Sequence, residues 1–171
     1  MRNLLIVKMF EDVKIPEKKN PTDSGFDLYA YSFKRYYQNH GSNGERLLEG
    51  KLLEPFVKDR VIELGYLDRV LIGTGLKATV GPEYEIQIRP RSGLALKQGL
   101  TVINTPGTID AAYRDEIGII LVNLSRKVQE VSLDTRVAQL VVVPVGLPEL
   151  EIVQELPVNN DRGGGFGHTG V

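Results

Sequence analysis

Apolar residues in this chain recur at every second position far more often than at every third or fourth. In Tyr84 to Arg89, Tyr84, Ile86 and Ile88 alternate with Glu85, Gln87 and Arg89, the pattern of a strand with one buried and one wetted face. Residues 4–10, 69–80 and 118–123 are further β-compatible runs, separated by Gly, Pro or Asp. Residues 137–145 are apolar at nearly every position, which predicts a strand buried on both sides or lying at a subunit contact. Strands between short turns, with almost no helical periodicity, predict an all-β sandwich or barrel. One short helix interrupts the pattern: Ser92 suits its cap, Leu94 to Gln98 its body, and Gly99 the residue just past its end.

Two stretches depart from the strand pattern. Residues 32–58 hold a polar, Gly-bearing section (38–44) and then Leu47, Leu48, Leu52 and Leu53, read as an insertion with an amphipathic excursion. The tail, residues 159–171, has five glycines, one aromatic and almost nothing to build a core. Glycine loses the most backbone entropy on ordering, so a mobile arm is expected there unless a ligand or neighbour pins it. The expected organisation is one β domain over residues 1–158, carrying the 32–58 insertion, followed by this arm.

Composition narrows the function classes. The net charge of −1 provides no global positive field, so nucleic acid is not the expected partner and any bound anion needs a local cluster. The absence of Cys excludes disulfides, thiolate metal sites and a cysteine nucleophile, and two histidines, His40 and His168, are too few for a His-rich zinc site. The apolar N-terminal run is too short to span a bilayer and precedes no small-residue cleavage site, so no membrane association and a cytoplasmic home are expected.

Two nucleotide-binding look-alikes fail on inspection. The Gly73 to Ala78 stretch matches a loose dinucleotide fingerprint, but Thr79-Val80-Gly81-Pro82 cannot continue as the required helix. Residues 44–51 resemble a phosphate-binding loop with one residue too many, and Leu52 stands where a hydroxyl should ligate magnesium.

Five other segments carry polar residues with chemical reasons to be there. They are Thr22-Asp-Ser-Gly-Phe-Asp-Leu-Tyr-Ala30, Pro90-Arg-Ser-Gly-Leu-Ala-Leu-Lys-Gln-Gly99, Gly107-Thr-Ile-Asp-Ala-Ala-Tyr-Arg-Asp-Glu116, Arg136-Val-Ala-Gln-Leu140 and Arg162-Gly-Gly-Gly-Phe-Gly-His-Thr-Gly170. Arg91, Ser92 and Gly93 place a guanidinium, a hydroxyl and free N–H groups at a helix start, which suits a phosphate; an ordinary capped turn is the plain alternative. Gln139 is an amide in an apolar strand and needs a partner, either a phosphate or a backbone group. Phe166 among glycines has no core to join and suits stacking on a nucleobase.

Together, in this order, the five segments resemble the trimeric dUTPase family. That resemblance implies a dUTPase-like β-clip, or distorted jelly-roll barrel, and hydrolysis of dUTP to dUMP and pyrophosphate with Mg²⁺ as cofactor. It implies that Asp110 orients and deprotonates the attacking water, where the residue alone reads more readily as a turn carboxylate. Tyr113 would pack under the deoxyribose and exclude a 2′-hydroxyl, or else serve as core. Asn104 and Gly107 belong to the segment expected to read uracil as a hairpin. Arg91, Ser92, Gly93, Gln139 and Arg162 would hold phosphates, with Gly167, His168 and Thr169 adding donors. Asp27 would sit near the metal, acting through water, or would be a strand-end carboxylate. The family's shared sites imply a homotrimer. Two departures stand out: the spacing from Arg162 to Phe166 is one residue short of the family's, and Ala112 and Asp115 replace smaller residues. The competing readings are a dCTP deaminase or bifunctional deaminase–diphosphatase of the same fold, for which Glu116 lies near the required position, and a non-catalytic regulatory β-trimer.

Overall fold

In the computed structural model, which describes residues 3–157, the predicted alternation becomes fourteen strands and one α-helix. A five-stranded sheet runs in the order β10 (Leu100–Val102), β12 (Gly118–Asn123), β7 (Arg69–Gly73), β3 (Ser32–Asn39) and β4 (Glu45–Glu49). A four-stranded sheet runs β11 (Gly107–Ile109), β9 (Tyr84–Arg89), β14 (Arg136–Pro144) and β2 (Gly25–Tyr29). Two smaller sheets join β1 (Leu5–Lys8) to β8 (Leu76–Thr79), and β13 (Gln129–Ser132) to β6 (Val61–Leu64) and β5 (Val57–Lys58). Every ladder is antiparallel. Inward side chains from all four sheets, among them Leu28, Leu64, Ile72, Leu76, Ile86, Ile119 and Leu140, form one buried cluster. Burying each such side chain contributes about 1.5–3 kcal/mol.

The period-two reading holds residue by residue in β9, where Ile86 and Ile88 are buried and Glu85, Gln87 and Arg89 take the other face. The run at 69–80 is not one strand: it breaks at Thr74-Gly75, where Gly75 adopts φ +69° and turns β7 into β8. That turn, with no helix after it, also disposes of the dinucleotide look-alike. β14 lies between β9 and β2. Ala138 and Leu140 enter the core, while Gln139 and Val141 face the cleft described below.

The helix α1 (Ser92–Gln98) ends as expected, with Gly99 left-handed at φ 67°. Its start differs from the sequence reading. Arg91 takes the extended N-cap position, Ser92 is already helical, and no side chain caps the helix. The reason is chemical: a guanidinium has no acceptor to offer the first-turn N–H groups.

Residues 32–58 have a shape the leucine pattern did not show. Within the expected insertion, β3 is an interior strand between β7 and β4, and β4 is followed by short 3₁₀ turns at Gly50–Leu52 and Glu54–Phe56. Tyr36 faces Leu48 across the β3–β4 ladder, and both are buried, whereas Leu47 and Leu52 are exposed. Adjacent leucines thus point opposite ways, as a strand or tight turn requires.

Tyr36 also donates a short hydrogen bond to the carboxylate of buried Asp68, which accepts from the Asn39 N–H at 2.7 Å and the Gly65 N–H at 2.8 Å as well. Burial first, and then this bond, push the Tyr36 phenol above its usual range near 10. The unfolded phenol ionises near pH 10 while the folded one keeps its proton. Its contribution is therefore complete below that pH and is lost as pH rises further. Tyr36→Phe is expected to cost about 1–3 kcal/mol at neutral pH by leaving Asp68 short of a donor. It should also flatten the fall in melting temperature above pH 10. Denaturant and thermal melts check both, and an unchanged alkaline slope would remove Tyr36 from the account.

Candidate active site

Three neighbouring strands bring the first group of predicted residues together. In the ladders of β14, Gln139 faces Asp27 on one side and Arg89 on the other, so the three side chains form one polar row on one face. A bulge between Arg136 and Ala138 shifts the register so that Arg136 pairs with Tyr29, two residues from Asp27. Without it, Arg136 and Gln139, three apart, would face opposite ways. α1 follows β9 directly and adds Arg91, Ser92 and Gly93, and the loop before β2 adds Lys19 and Asp23. These residues line a cleft of about 450 Å³.

Its floor is pre-arranged. Asp27 Oδ1 pairs with Arg91 Nε at 2.8 Å and Oδ2 with Arg136 at 3.1 Å. The Gln139 amide donates to Pro90 O at 2.9 Å. This is the backbone partner that a half-buried amide in an apolar strand called for, and one amide hydrogen is left over. A Cβ on Gly25 would stand 2.6 Å from Gln139 Oε1, so only glycine lets that amide lie flat against β2. Nothing lies within 4 Å of where a Cβ on Gly93 would be, leaving room at the helix start. Four cations (Lys19, Arg89, Arg91, Arg136) face two carboxylates (Asp23, Asp27). In a chain of net charge −1, this is a local positive excess suited to a polyanion.

The second group of predicted residues does not reach that cleft. Residues 107–123 do not fold as a hairpin: β11 pairs with β9, Ile109 opposite Ile86, while β12 pairs with β10 and β7. Asp110 therefore lies near the start of β9, level with Glu85, and Arg91 beyond its end, roughly 20 Å apart at strand rise. Asn104 packs its amide on Gly107, with Nδ2 3.2 Å from where a Cβ would stand. Asp110 is exposed, and its carbonyl accepts the Tyr113 N–H at 3.0 Å. The Tyr113 hydroxyl donates to Glu116 O at 2.8 Å. Burial, and then the charges of Asp115 and Glu116, raise its pKa. The Glu116 carboxylate is taken up by the Gly75 N–H at 2.7 Å and Lys34 at 3.0 Å, an arrangement that leaves it poorly placed to activate water at a base. Arg162, Phe166, Gly167, His168 and Thr169 lie outside the described residues.

Lys19, Asp23, Arg89 and Arg136 line the cleft although the sequence reading did not single them out. Arg89 was within reach, since it continues the outward alternation of β9 toward Pro90. Arg136 was not, because only the bulge turns it to this face. Among the described residues, no three His, Cys, Asp or Glu side chains come together to hold a metal. Both Asp27 oxygens are engaged by arginines. The donor set therefore fits a hydrated cation carried in by a polyphosphate rather than a protein cage.

Comparison with known proteins identifies relatives of this chain. The sequence profile of the dUTPase family matches residues 57–170. A deoxyuridine 5′-triphosphate nucleotidohydrolase of Hydrogenobaculum sp. is 39% identical over 98% of this chain and 98% of its own. One from Clostridium acetobutylicum is 39% identical over 100% and 99%, and one from Desulfotalea psychrophila is 52% identical over 66% of this chain and 74% of its own. In fold, a Staphylococcus bacteriophage 80alpha dUTPase variant with dUpNHpp superposes with TM-score 0.73 at 21% identity, covering both chains fully. A variant of the dUTPase from phage phi11 of S. aureus, solved with a structural Mg(II) ion, gives 0.66 at 20% identity over 91% of this chain and 99% of that one.

Proposed function

This chain belongs to the dUTPase family, and from that premise we propose that it hydrolyses dUTP to dUMP and pyrophosphate at a site shared between subunits of a homotrimer. The observation that carries the reading is the cleft between β2, β14 and α1. It is a preformed, cation-rich cradle built from the segments that relate the chain to the family.

The triphosphate occupies this cradle. The Arg91 guanidinium, the Ser92 hydroxyl and the N–H groups of the uncapped first turn contact its oxygens, and Gln139 adds its remaining amide hydrogen. Asp27 holds Arg91 and Arg136 in place. Asp110 accepts a proton from a water, which attacks the α-phosphorus in line; the bond to the bridging oxygen breaks and pyrophosphate leaves. Tyr113 packs under the sugar, and Asn104 and Gly107 belong to the segment that reads uracil. Asp27 would hold a nucleotide-borne Mg²⁺ through water, and the cation would supply charge neutralisation along the phosphate chain.

Because about 20 Å separates Asp110 from Arg91 in one chain, the site is complete only where the Asp110 loop of another subunit meets this cleft. The exposure of Leu147, Leu150, Ile152 and Leu156 after β14 supports association of chains, since such side chains are ordinarily covered. The glycine-rich arm, with Arg162 and Phe166 and with donors from Gly167, His168 and Thr169, closes the site.

Pyrophosphate release measured against dUTP, dCTP, dTTP and UTP, with and without Mg²⁺, tests the assignment. Turnover confined to dUTP and lost on chelation is expected. Ammonia release from dCTP, or preference for another nucleotide, overturns it.

A further inference from the structure

We propose that Glu116, clamped by Lys34 and the Gly75 N–H, is a positioning residue that fixes the Tyr113 ring and so sets the discrimination between deoxyribose and ribose nucleotides. The proposal rests on the reading of Tyr113 as the residue beneath the sugar.

The connection runs through one residue's two ends. The Glu116 carbonyl accepts the Tyr113 hydroxyl at 2.8 Å, holding the far edge of the ring. Its side chain is bound twice, by the Gly75 N–H to Oε1 at 2.7 Å and by Lys34 to Oε2 at 3.0 Å. Lys34 is on β3, in the stretch that departs from the strand pattern of the sequence, and Gly75 turns β7 into β8. Tyr113 is thereby tied to two elements outside its own loop.

β7 is shaped to allow this. A Cβ on Gly73 would stand 2.5 Å from Glu116 Oε1 and 2.6 Å from Ser32 Oγ, and would meet Lys34 Cε as well. The ion pair thus lies directly across the glycine, in space that any side chain would fill. The remainder of the loop is held independently of the clamp. Thr79 Oγ1 donates to Ala111 O at 2.8 Å, the Ile117 N–H donates to Leu76 O at 2.8 Å, and Thr74 Oγ1 donates to Ile117 O at 2.8 Å. Losing Lys34 therefore removes one of the two holds on the Glu116 side chain, and loosens the ring edge, without unpinning either end of the loop.

A steric test against one hydroxyl tolerates little movement of the group that makes it, because small misplacements at a reacting site carry large kinetic penalties. Lys34→Met is the decisive variant, since its side chain is 42% exposed and its loss leaves the Gly75 bond intact. We expect the ratio of kcat/KM for UTP to that for dUTP to rise about three- to tenfold, with kcat for dUTP within about twofold. Glu116→Gln should raise the ratio similarly, the double variant no further than either single one, and Lys34→Arg should restore it. A lowered melting temperature with an unchanged ratio would mark a purely structural clamp and overturn the proposal. Tyr113→Ala separates the two levels. If it raises the ratio while Lys34→Met does not, the clamp is wrong and the role of Tyr113 stands. If neither does, both fall.

Discussion

Asp110→Asn is expected to lower kcat by about three orders of magnitude while leaving nucleotide affinity within about tenfold, because a general base contributes to the barrier and little to binding. The amide keeps the shape of the side chain but cannot accept the water's proton. Asp110 is exposed, and its carbonyl bond to the Tyr113 N–H is a backbone bond, so the fold should not notice the change. Single-turnover kinetics together with equilibrium binding of a non-cleavable dUTP analogue separate the two effects, and a variant that turns over normally removes Asp110 from the chemistry. The same variant probes site sharing. Mixed with Arg91→Ala chains, themselves inactive, it should recover activity on reassembly. In a randomly mixed trimer with cyclic symmetry, about a quarter of all sites combine an intact cleft with an intact Asp110 loop. No recovery would mean that cleft and base act within one chain.

Truncation after Asn160 should leave a folded trimer whose kcat/KM for dUTP is reduced by two orders of magnitude or more. The β14 strand ends at Pro144, and residues 145–157 continue without regular structure. From Pro157 to Phe166 the chain can span at most about 30 Å, enough to reach a site on a neighbouring subunit. The deletion removes Arg162, whose guanidinium can pair with terminal phosphates, and Phe166, whose ring can stack on the base. It keeps every residue of the buried cluster found among the described residues. Sedimentation or light scattering, with thermal melts, verifies assembly while steady-state kinetics measures the loss. Unchanged kinetics would take the arm out of the mechanism.

What the sequence by itself determined was the strand content and the family resemblance. Period-two alternation is a local property, written in neighbours such as Ile86 and Ile88 against Gln87 and Arg89, and burial only confirms it. Gly99 is likewise local, since a left-handed helix end asks for glycine whatever surrounds it. The five polar segments carried the family resemblance because each places its residue types within a few positions of one another. Contacts between distant residues belonged to tertiary structure alone. The leucines of residues 47–53 read as amphipathic without fixing a shape, and pairing of β3 with β7 and β4 decided it as a strand and turns, because a hydrogen-bonded neighbour settles what a short pattern leaves open. The segment that begins at Asn104 lies between β10 and β12, which pair antiparallel, but its own strand β11 found its partner in β9. A single bulge brought Arg136 beside Asp27, and the register of three strands lined up Asp27, Gln139 and Arg89. Sequence spacing records none of these meetings, since 109 positions separate Asp27 from Arg136 and only the packed sheet makes them neighbours.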